Sequence, residues 1–581
     1  MLLLEALETL LFDLDITSLI RLLIQNFFIF FWPCLGFYLF YRLVIFVKFV
    51  YLCNWQLRDV PVNPGIPLKF FGYFQNLGAY KRHEMIKKLM VAEQEMRRNS
   101  AELKNKKIPD GLTKVYRLPF LPNLVINSTN ACDKIFESTK FIDKTNNMQR
   151  VFNNILGPSI ITDKQNEWRV KRRILMKAMH NDLIKDYSSI NNQYTAKMVN
   201  EIKKDNGQSR KIYFEDYEYN LNLRILAKNI FGQDLNVNDE TSKKFIEIWW
   251  KTAEILELRL SKPLLSLQFI WKIYKFVKKI EVDKLKQDFT EVVGQMLKIR
   301  DDINRKSQQT NAESADTSSP KKLLIADKLL DFHQSNQLTY QQMINEAKIF
   351  FCAALDTTSI SISAAIYALS HPKNRKVLEK LSNEVEHYFP NTDLQKFETN
   401  MINYDPNNLQ KILDQMEYLD AVIKETLRLY GPAPVIGRKI IDRINFGTED
   451  DPFFINGSLE NPVAVTLFSG FISAKDRNFE PERFLINQHH QQEEQDSISI
   501  HRKEINLNSA EFSPFSRGLR NCLGKKMALS SMKIQLIHLV KNFDLKLVFE
   551  SEHDKMVDRP CVMSMMYKFE KKPLIEFLTR K

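Results

Sequence analysis

Between Arg21 and Arg42 the chain carries 20 consecutive uncharged residues, Leu22 to Tyr41. As a helix rising 1.5 Å per residue they span about 30 Å, one hydrocarbon core. No polar stripe interrupts the run, which disfavours a core helix of a soluble domain. Pro33 and Gly36 lie within it, and lipid-spanning helices tolerate both. Trp32, Tyr38 and Tyr41 suit the membrane interfaces. A cleaved signal peptide fits less well, because the run starts late and its leader is acidic (Glu5, Glu8, Asp13, Asp15). Arg42, Lys48, Arg58 and Lys69 follow the run, whereas only Arg21 closely precedes it. The positive-inside rule then places the remainder in the cytosol. Pro61, Pro64 and Pro67 come next and read as a semi-rigid extended spacer. The expected layout is a luminal segment at 1–21, a transmembrane anchor at 22–50, a proline-rich hinge at 51–72 and a catalytic body at 73–581.

The body is ordinary globular material: of 581 residues, 44% are hydrophobic and 26% charged. Lys and Arg number 83 against 70 Asp and Glu, a net charge of +13 that suits an acidic partner or an anionic membrane surface. The excess is spread out, with no compact basic block interleaved with aromatics, so nucleic acid is not expected as a partner. Cys34, Cys53, Cys132, Cys352, Cys522 and Cys561 include no Cys-x-x-Cys pair, which argues against a zinc ribbon, a redox dithiol or a disulfide scaffold. There is no internal repeat. The pattern is mostly helical, with strand-like runs at Leu124–Ile126 and Val463–Phe468. Polar stretches at about 301–322 and 487–511 read as surface inserts. His489 and His490 fall in the second and read as solvated, not metal-binding. Trp249 to Val277 is amphipathic and faces a core or a membrane surface.

The most informative segment is Phe515-Ser516-Arg517-Gly518-Leu519-Arg520-Asn521-Cys522-Leu523-Gly524. It precedes a helical pattern from Lys525 to Phe543, in which Met532, Leu536, Leu539, Val540 and Phe543 recur at helix spacing. A cysteine just before a helix N-terminus is placed to be a thiolate, stabilised by backbone N–H groups and the helix dipole. Gly518 and Gly524 let the backbone turn tightly and approach something flat. Phe515 can shield the sulfur and Arg520 can reach an anion. These residues alone fit a thiolate ligand, a nucleophile or an inert buried cysteine.

The pattern Phe-x-x-Gly-x-Arg-x-Cys-x-Gly resembles the haem-binding loop of the cytochrome P-450 family, with every fixed position filled. Further elements stand in the family's order. Trp168 and Arg172 match Trp-x-x-x-Arg. Ala353-Ala354-Leu355-Asp356-Thr357-Thr358, in a helical pattern from Gln341 to Leu369, resembles the distal-helix motif. Glu425-Thr426-Leu427-Arg428, in the run Leu419–Leu429, supplies Glu-x-x-Arg, and Phe479-Glu480-Pro481-Glu482-Arg483-Phe484 resembles the Pro-Glu-Arg-Phe element.

The resemblance implies a mainly α haem domain with small β-sheets, the cytochrome P-450 haem-domain fold, preceded by one N-terminal transmembrane helix. It implies non-covalent haem b, since Ala353 stands where some fatty-acid hydroxylases carry a haem-linked glutamate. Cys522 would be the axial iron ligand, with Phe515 tuning the thiolate and Gly518 and Gly524 shaping the loop. Trp168, Arg172, Arg438 and Arg520 would hold the propionates, Asp356 and Thr357 would deliver protons, and Glu425, Arg428 and Arg483 would form a buried structural network. The implied reaction inserts one atom of O2 into an apolar substrate with electrons from NADPH. No flavin segment follows Cys522, so a separate donor is expected: NADPH-cytochrome P-450 reductase or a cytochrome b-type protein, meeting Arg517, Lys525 and Lys526. The implied location is the endoplasmic reticulum membrane, single-pass. Two departures are an Ala354 in place of glycine and a shortened stretch from Pro462 to Phe479. The alternatives are a reductase-independent isomerase or dehydratase of the same fold, which the acid–alcohol pair disfavours, and a non-catalytic membrane haem sensor. The substrate is not legible; 40 phenylalanines fit an apolar pocket and a large core equally.

Overall fold

The structure, a computed structural model, describes residues 16–60, 109–118, 121–141, 143–179, 181–203, 209–235, 240–261, 265, 268–313, 324–390, 405–472, 476–485, 505–550, 561–563 and 566–580. It divides into two units, 1–59 and 60–581. In the first, helix α1 (Ile16–Gln56) is 41 residues long. The helix runs beyond both ends of the segment 22–50 and into the first residues of 51–72. Nothing in Tyr51–Gln56 breaks a helix, and Asn54 Nδ2 returns to the Val50 carbonyl at 2.8 Å while Tyr51 and Trp55 stack. The hinge prolines lie outside the described residues. Residues Leu35–Gln56 are apolar and long enough to span a bilayer, and none of that window is buried.

The second unit is mainly helical. In chain order it contains β1 (Leu112–Leu118), β2 (Leu121–Ile126), α2 (Thr129–Glu137), α3 (Asn146–Ile155), α4 (Gln165–Ala178), α5 (Asn181–Lys203), β3 (Arg210–Tyr213), α6 (Phe214–Phe231), α7 (Glu240–Ser261), α8 (Gln268–Val277), α9 (Val282–Glu313), α10 (Ile325–Gln334) and α11 (Tyr340–Ser370). Then come α12 (Arg375–Tyr388), α13 (Pro406–Gln415), α14 (Glu417–Tyr430), β4 (Ile436–Ile440), β5 (Arg443–Asn445), β6 (Phe454–Asn456), β7 (Val463–Leu467), α15 (Lys525–Asn542), β8 (Phe543–Leu547), β9 (Cys561–Met563), β10 (Tyr567–Phe569) and β11 (Leu574–Thr579).

Helix α11 is the centre of the core. It starts at a capping box, in which Thr339 Oγ1 accepts from the Gln342 N–H at 3.2 Å and Gln342 Oε1 accepts from the Thr339 N–H at 2.9 Å. It is apolar enough to cross a membrane, yet most of it is buried against α6, α9, α10, α14 and α15. Helix α15 is buried from Ser530 to Asn542 on all sides, which suits a helix enclosed by others. Its polar groups find partners on α5: Ser530 Oγ meets Ser188 Oγ at 2.6 Å, and His538 Nε2 meets Asn192 Oδ1 at 2.6 Å. The expected strands become β2 and β7, which pair in parallel (Leu124 opposite Val465) inside a sheet of order β1-β2-β7-β4. A second sheet, β3-β11-β8, is antiparallel.

The expected insert at 301–322 is corrected. Helix α9 continues through Glu313, so residues 301–313 are helical; residues 314–322 lie outside the described set. In the first turns of that stretch, residues 301–307, polar side chains pair along the helix, as Arg305 does with Asp301 at 2.7 Å. In the second insert, residues 505–511 are an irregular turn, while the His489–His490 segment is not among the described residues. The amphipathic Trp249–Val277 stretch is divided: Trp249 and Trp271 are buried, whereas Phe269 and Phe276 are exposed.

Glu425 and Arg428, buried on one face of α14, meet the guanidinium of the partly buried Arg483. Arg428 donates to both Glu425 oxygens at 2.7 and 2.8 Å, and Arg483 Nε donates to Oε1 at 3.1 Å. The Glu480 N–H adds 2.7 Å, and Arg428 spends its remaining donors on the carbonyls of Asp476 (2.6 Å) and Asn478 (2.9 Å). Every charge is satisfied, so removing one partner leaves the others stranded. Glu425→Gln is expected to cost about 3–5 kcal/mol in denaturant unfolding. Lys380→Ala, which breaks the exposed pair with Glu482, is expected to cost under about 1 kcal/mol.

Candidate active site

The cysteine loop is a closed turn. The Cys522 N–H donates to the Phe515 carbonyl at 2.8 Å, and the Asn521 N–H to Gly518 at 3.2 Å. Gly518 has φ +67, and a Cβ there would sit 1.8 Å from the Phe136 carbonyl oxygen at the end of α2. Only glycine satisfies both demands. Arg517 ties the same turn to α2 through Asp133 at 3.4 Å. Gly524 differs: an added Cβ would meet nothing within 4 Å, so its backbone faces open space.

The loop delivers Cys522 to the N-terminus of α15, where its side chain is exposed. The Gly524 N–H donates to its sulfur, and the charges of Arg172 and Lys525 favour the thiolate; burial of the surroundings opposes them and leaves the thiol raised. Phe515 is half-buried, with the Lys525 ammonium 5.8 Å from its ring centre. Arg172, from α4, reaches across to the loop and donates to the Asn521 carbonyl at 2.9 Å and its Oδ1 at 2.6 Å. Arg172 is therefore a brace for the loop as well as a cation beside the sulfur.

Arg520 lies with its guanidinium 4.7 Å over the buried Trp168 ring. Its donors reach the carbonyls of Ile160 (3.3 Å), Ile161 (3.4 Å) and Asp163. Its Nε is buried without a hydrogen-bond partner. Arg438, on β4, is buried and bonds the Gly437 carbonyl at 3.0 Å. Burial and the neighbouring Arg520 pull Arg438 down to about 9; burial and Arg172 pull Arg520 down to about 10, against the opposing charges of Asp143 and Asp163. Lys144, in the loop before α3, is pushed well down by burial and by both arginines. Sequence reading missed Lys144, because a lone lysine in a loop carries no motif; only the fold brings it beside Arg438.

Cations that repel one another in a buried place are stable opposite an anion. A flat group with two carboxylates, set against Gly524 and Cys522, meets that requirement. Haem is such a group, and the residues present fit it.

On α11, Thr357 Oγ1 donates to the Ala353 carbonyl at 2.8 Å, one turn back, and Ala353 is exposed on the helix surface. Asp356 beside it is pushed up to about 6 by burial, with Tyr219 hydrogen-bonded to its carboxyl. Tyr219 is a second residue that sequence reading missed.

Arg438→Met tests the unbalanced cations. The cofactor-free protein is expected to melt higher, because a repulsion is removed, while haem titration shows affinity weakened by about 10- to 100-fold. Equal loss in both measurements would contradict the anion-seeking role.

The family profile described as Cytochrome P450 matches residues 89–572. Among curated relatives, Cytochrome P450 4c21 of Blattella germanica is 24% identical over 438 residues, covering 75% of this chain and 80% of that protein. Cytochrome P450 4e5, mitochondrial, of Drosophila mettleri is 25% identical, covering 73% and 75%. Cytochrome P450 3A13 of Mus musculus is 26% identical, covering 68% and 72%. With Cys522 held in a closed loop at the N-terminus of α15, its mainly helical fold and a profile match over most of its length, the chain belongs to the cytochrome P450 family of haem-dependent monooxygenases.

Proposed function

We propose that the protein is a membrane-anchored monooxygenase that takes electrons from NADPH through a separate reductase and oxidises an apolar substrate. The observation that carries this reading is Cys522, exposed at the N-terminus of α15 with a backbone donor on its sulfur, beside buried cations that call for a dianionic planar group. Haem bound there supplies the oxygen-activating chemistry.

The chain's own residues have these roles in this reading. Cys522 would hold the haem iron through its sulfur, and the turn through Gly518 fixes the direction of that side chain. Phe515 shields the sulfur. Arg172, Arg438 and Arg520, with Trp168 packed beneath Arg520, would hold the propionates, and Lys144 would join them. Asp356 keeps an acid on the distal helix that titrates near neutrality, suited to passing protons inward, and Thr357 holds the water that receives them. Glu425, Arg428 and Arg483 keep the backbone around the site in place. The retained Asp356–Thr357 pair speaks against the isomerase alternative.

The anchor is helix α1, and the cations after it support a cytosolic body on the endoplasmic reticulum. Arg169, Arg173, Lys525 and Lys526 are exposed on α4 and at the start of α15, next to the cysteine loop. A surface of this sign suits an acidic electron donor.

The test is NADPH consumption by the full-length haem-loaded protein in lipid vesicles with a flavoprotein reductase. Consumption is expected to depend on oxygen and on the reductase; turnover of a substrate without either would favour the isomerase reading instead. Lys525→Glu with Lys526→Glu is expected to slow reduction at low salt by about tenfold or more, with the deficit shrinking as salt is added. An unchanged rate would remove these lysines from the donor face.

A further inference from the structure

Asp356 does not stand alone on α11. Its carboxyl faces α6, where the Tyr219 phenol hydrogen-bonds to it. That phenol is itself fixed. The Trp249 indole N–H, from α7, donates to Tyr219 Oη at 2.7 Å. The neighbouring Trp250 stacks on the Tyr219 ring, with centroids 4.9 Å apart and planes 20° off parallel. One lone pair of the phenol oxygen is thus occupied by the indole, and its own O–H is left to point at the carboxylate. Two consecutive residues of α7 therefore lock a side chain of α6 onto a carboxylate of α11.

Other charged or titratable groups among the described residues also face Asp356. Glu215 comes from α6, Glu257 from α7, Lys568 from β10 and Cys352 from one turn back on α11. Lys568 and Glu257 stand 3.5 Å apart and offset each other's charge. Among these, Tyr219 is the group that donates a hydrogen bond to the carboxyl, and burial together with the charge of Asp356 holds the phenol above its ordinary range, so it keeps its proton at working pH.

We propose that Tyr219, clamped by Trp249 and Trp250, is a positioning residue of the distal proton relay. It fixes the carboxyl of Asp356 and favours its ionised form, so that Asp356 can take a proton from solvent and pass it towards Thr357. Tyr219 does not itself lose a proton. This rests on the relay role given to Asp356 and Thr357 above.

The test uses the full-length haem-loaded protein as wild type, Asp356→Asn, Tyr219→Phe and the double variant. The carboxyl infrared band that Asp356→Asn removes reports the titration of Asp356. Tyr219→Phe takes away a donor that favours the charged form, so that band is expected to titrate about one pH unit higher. An unmoved midpoint would overturn the proposal, and a merely structural phenol would not move it. The second reading is the share of consumed oxygen released as hydrogen peroxide, with NADPH and reductase. Tyr219→Phe is expected to raise it in the wild-type background and to change nothing once Asp356 is Asn. If Asp356→Asn leaves that share unchanged, the relay reading falls and the inference with it. If Asp356→Asn raises the share and Tyr219→Phe does not, the inference alone falls.

Discussion

A single cysteine held at the mouth of a buried helix is the constraint on which the rest depends. Its sulfur cannot wander. The Cys522 N–H is tied to Phe515, the turn behind it presses Gly518 against the Phe136 carbonyl, and the next residues enter α15. Helix α15 in turn is set in the core by Ser188, Asn191 and Asn192 of α5, which take its serines and His538. The direction of one thiol is therefore decided by packing that extends far from it.

Two groups of buried charge in this protein follow opposite rules. Around Glu425 every donor and acceptor is satisfied within the chain, so the cluster needs nothing more and acts as a brace. Around Arg438 cations outnumber the acids: Arg520 depresses Arg438, and both depress Lys144, while Asp143 and Asp163 offset only part of the charge, at Arg520. The first arrangement is complete as folded. The second stores repulsion that a dicarboxylate relieves, which is a physical reason for cofactor binding to tighten the fold around the cysteine loop.

Much of this was legible in the sequence because it is local. The loop from Phe515 to Gly524 is ten residues whose glycines permit a tight turn and whose pattern resembles the family's cysteine loop, and α11 and α15 announce themselves by long apolar periodicity. Boundaries were less legible. Polar composition suggested a surface loop or insert at 301–322, but α9 continues through Glu313, and α1 runs beyond both ends of the segment 22–50. What the sequence hides is contact between distant segments. Lys144 lies far from Arg438 in sequence and carries no pattern, and Tyr219 becomes meaningful only when α6, α7 and α11 are packed together.

The most direct test of thiolate ligation is the absorption spectrum of the reduced, carbon-monoxide-bound protein, full length and haem-loaded. Sulfur coordination by Cys522 gives a strongly red-shifted Soret band, which Cys522→Ala abolishes. A band at the position typical of histidine-ligated haem, or a red-shifted band that survives Cys522→Ala, would contradict it.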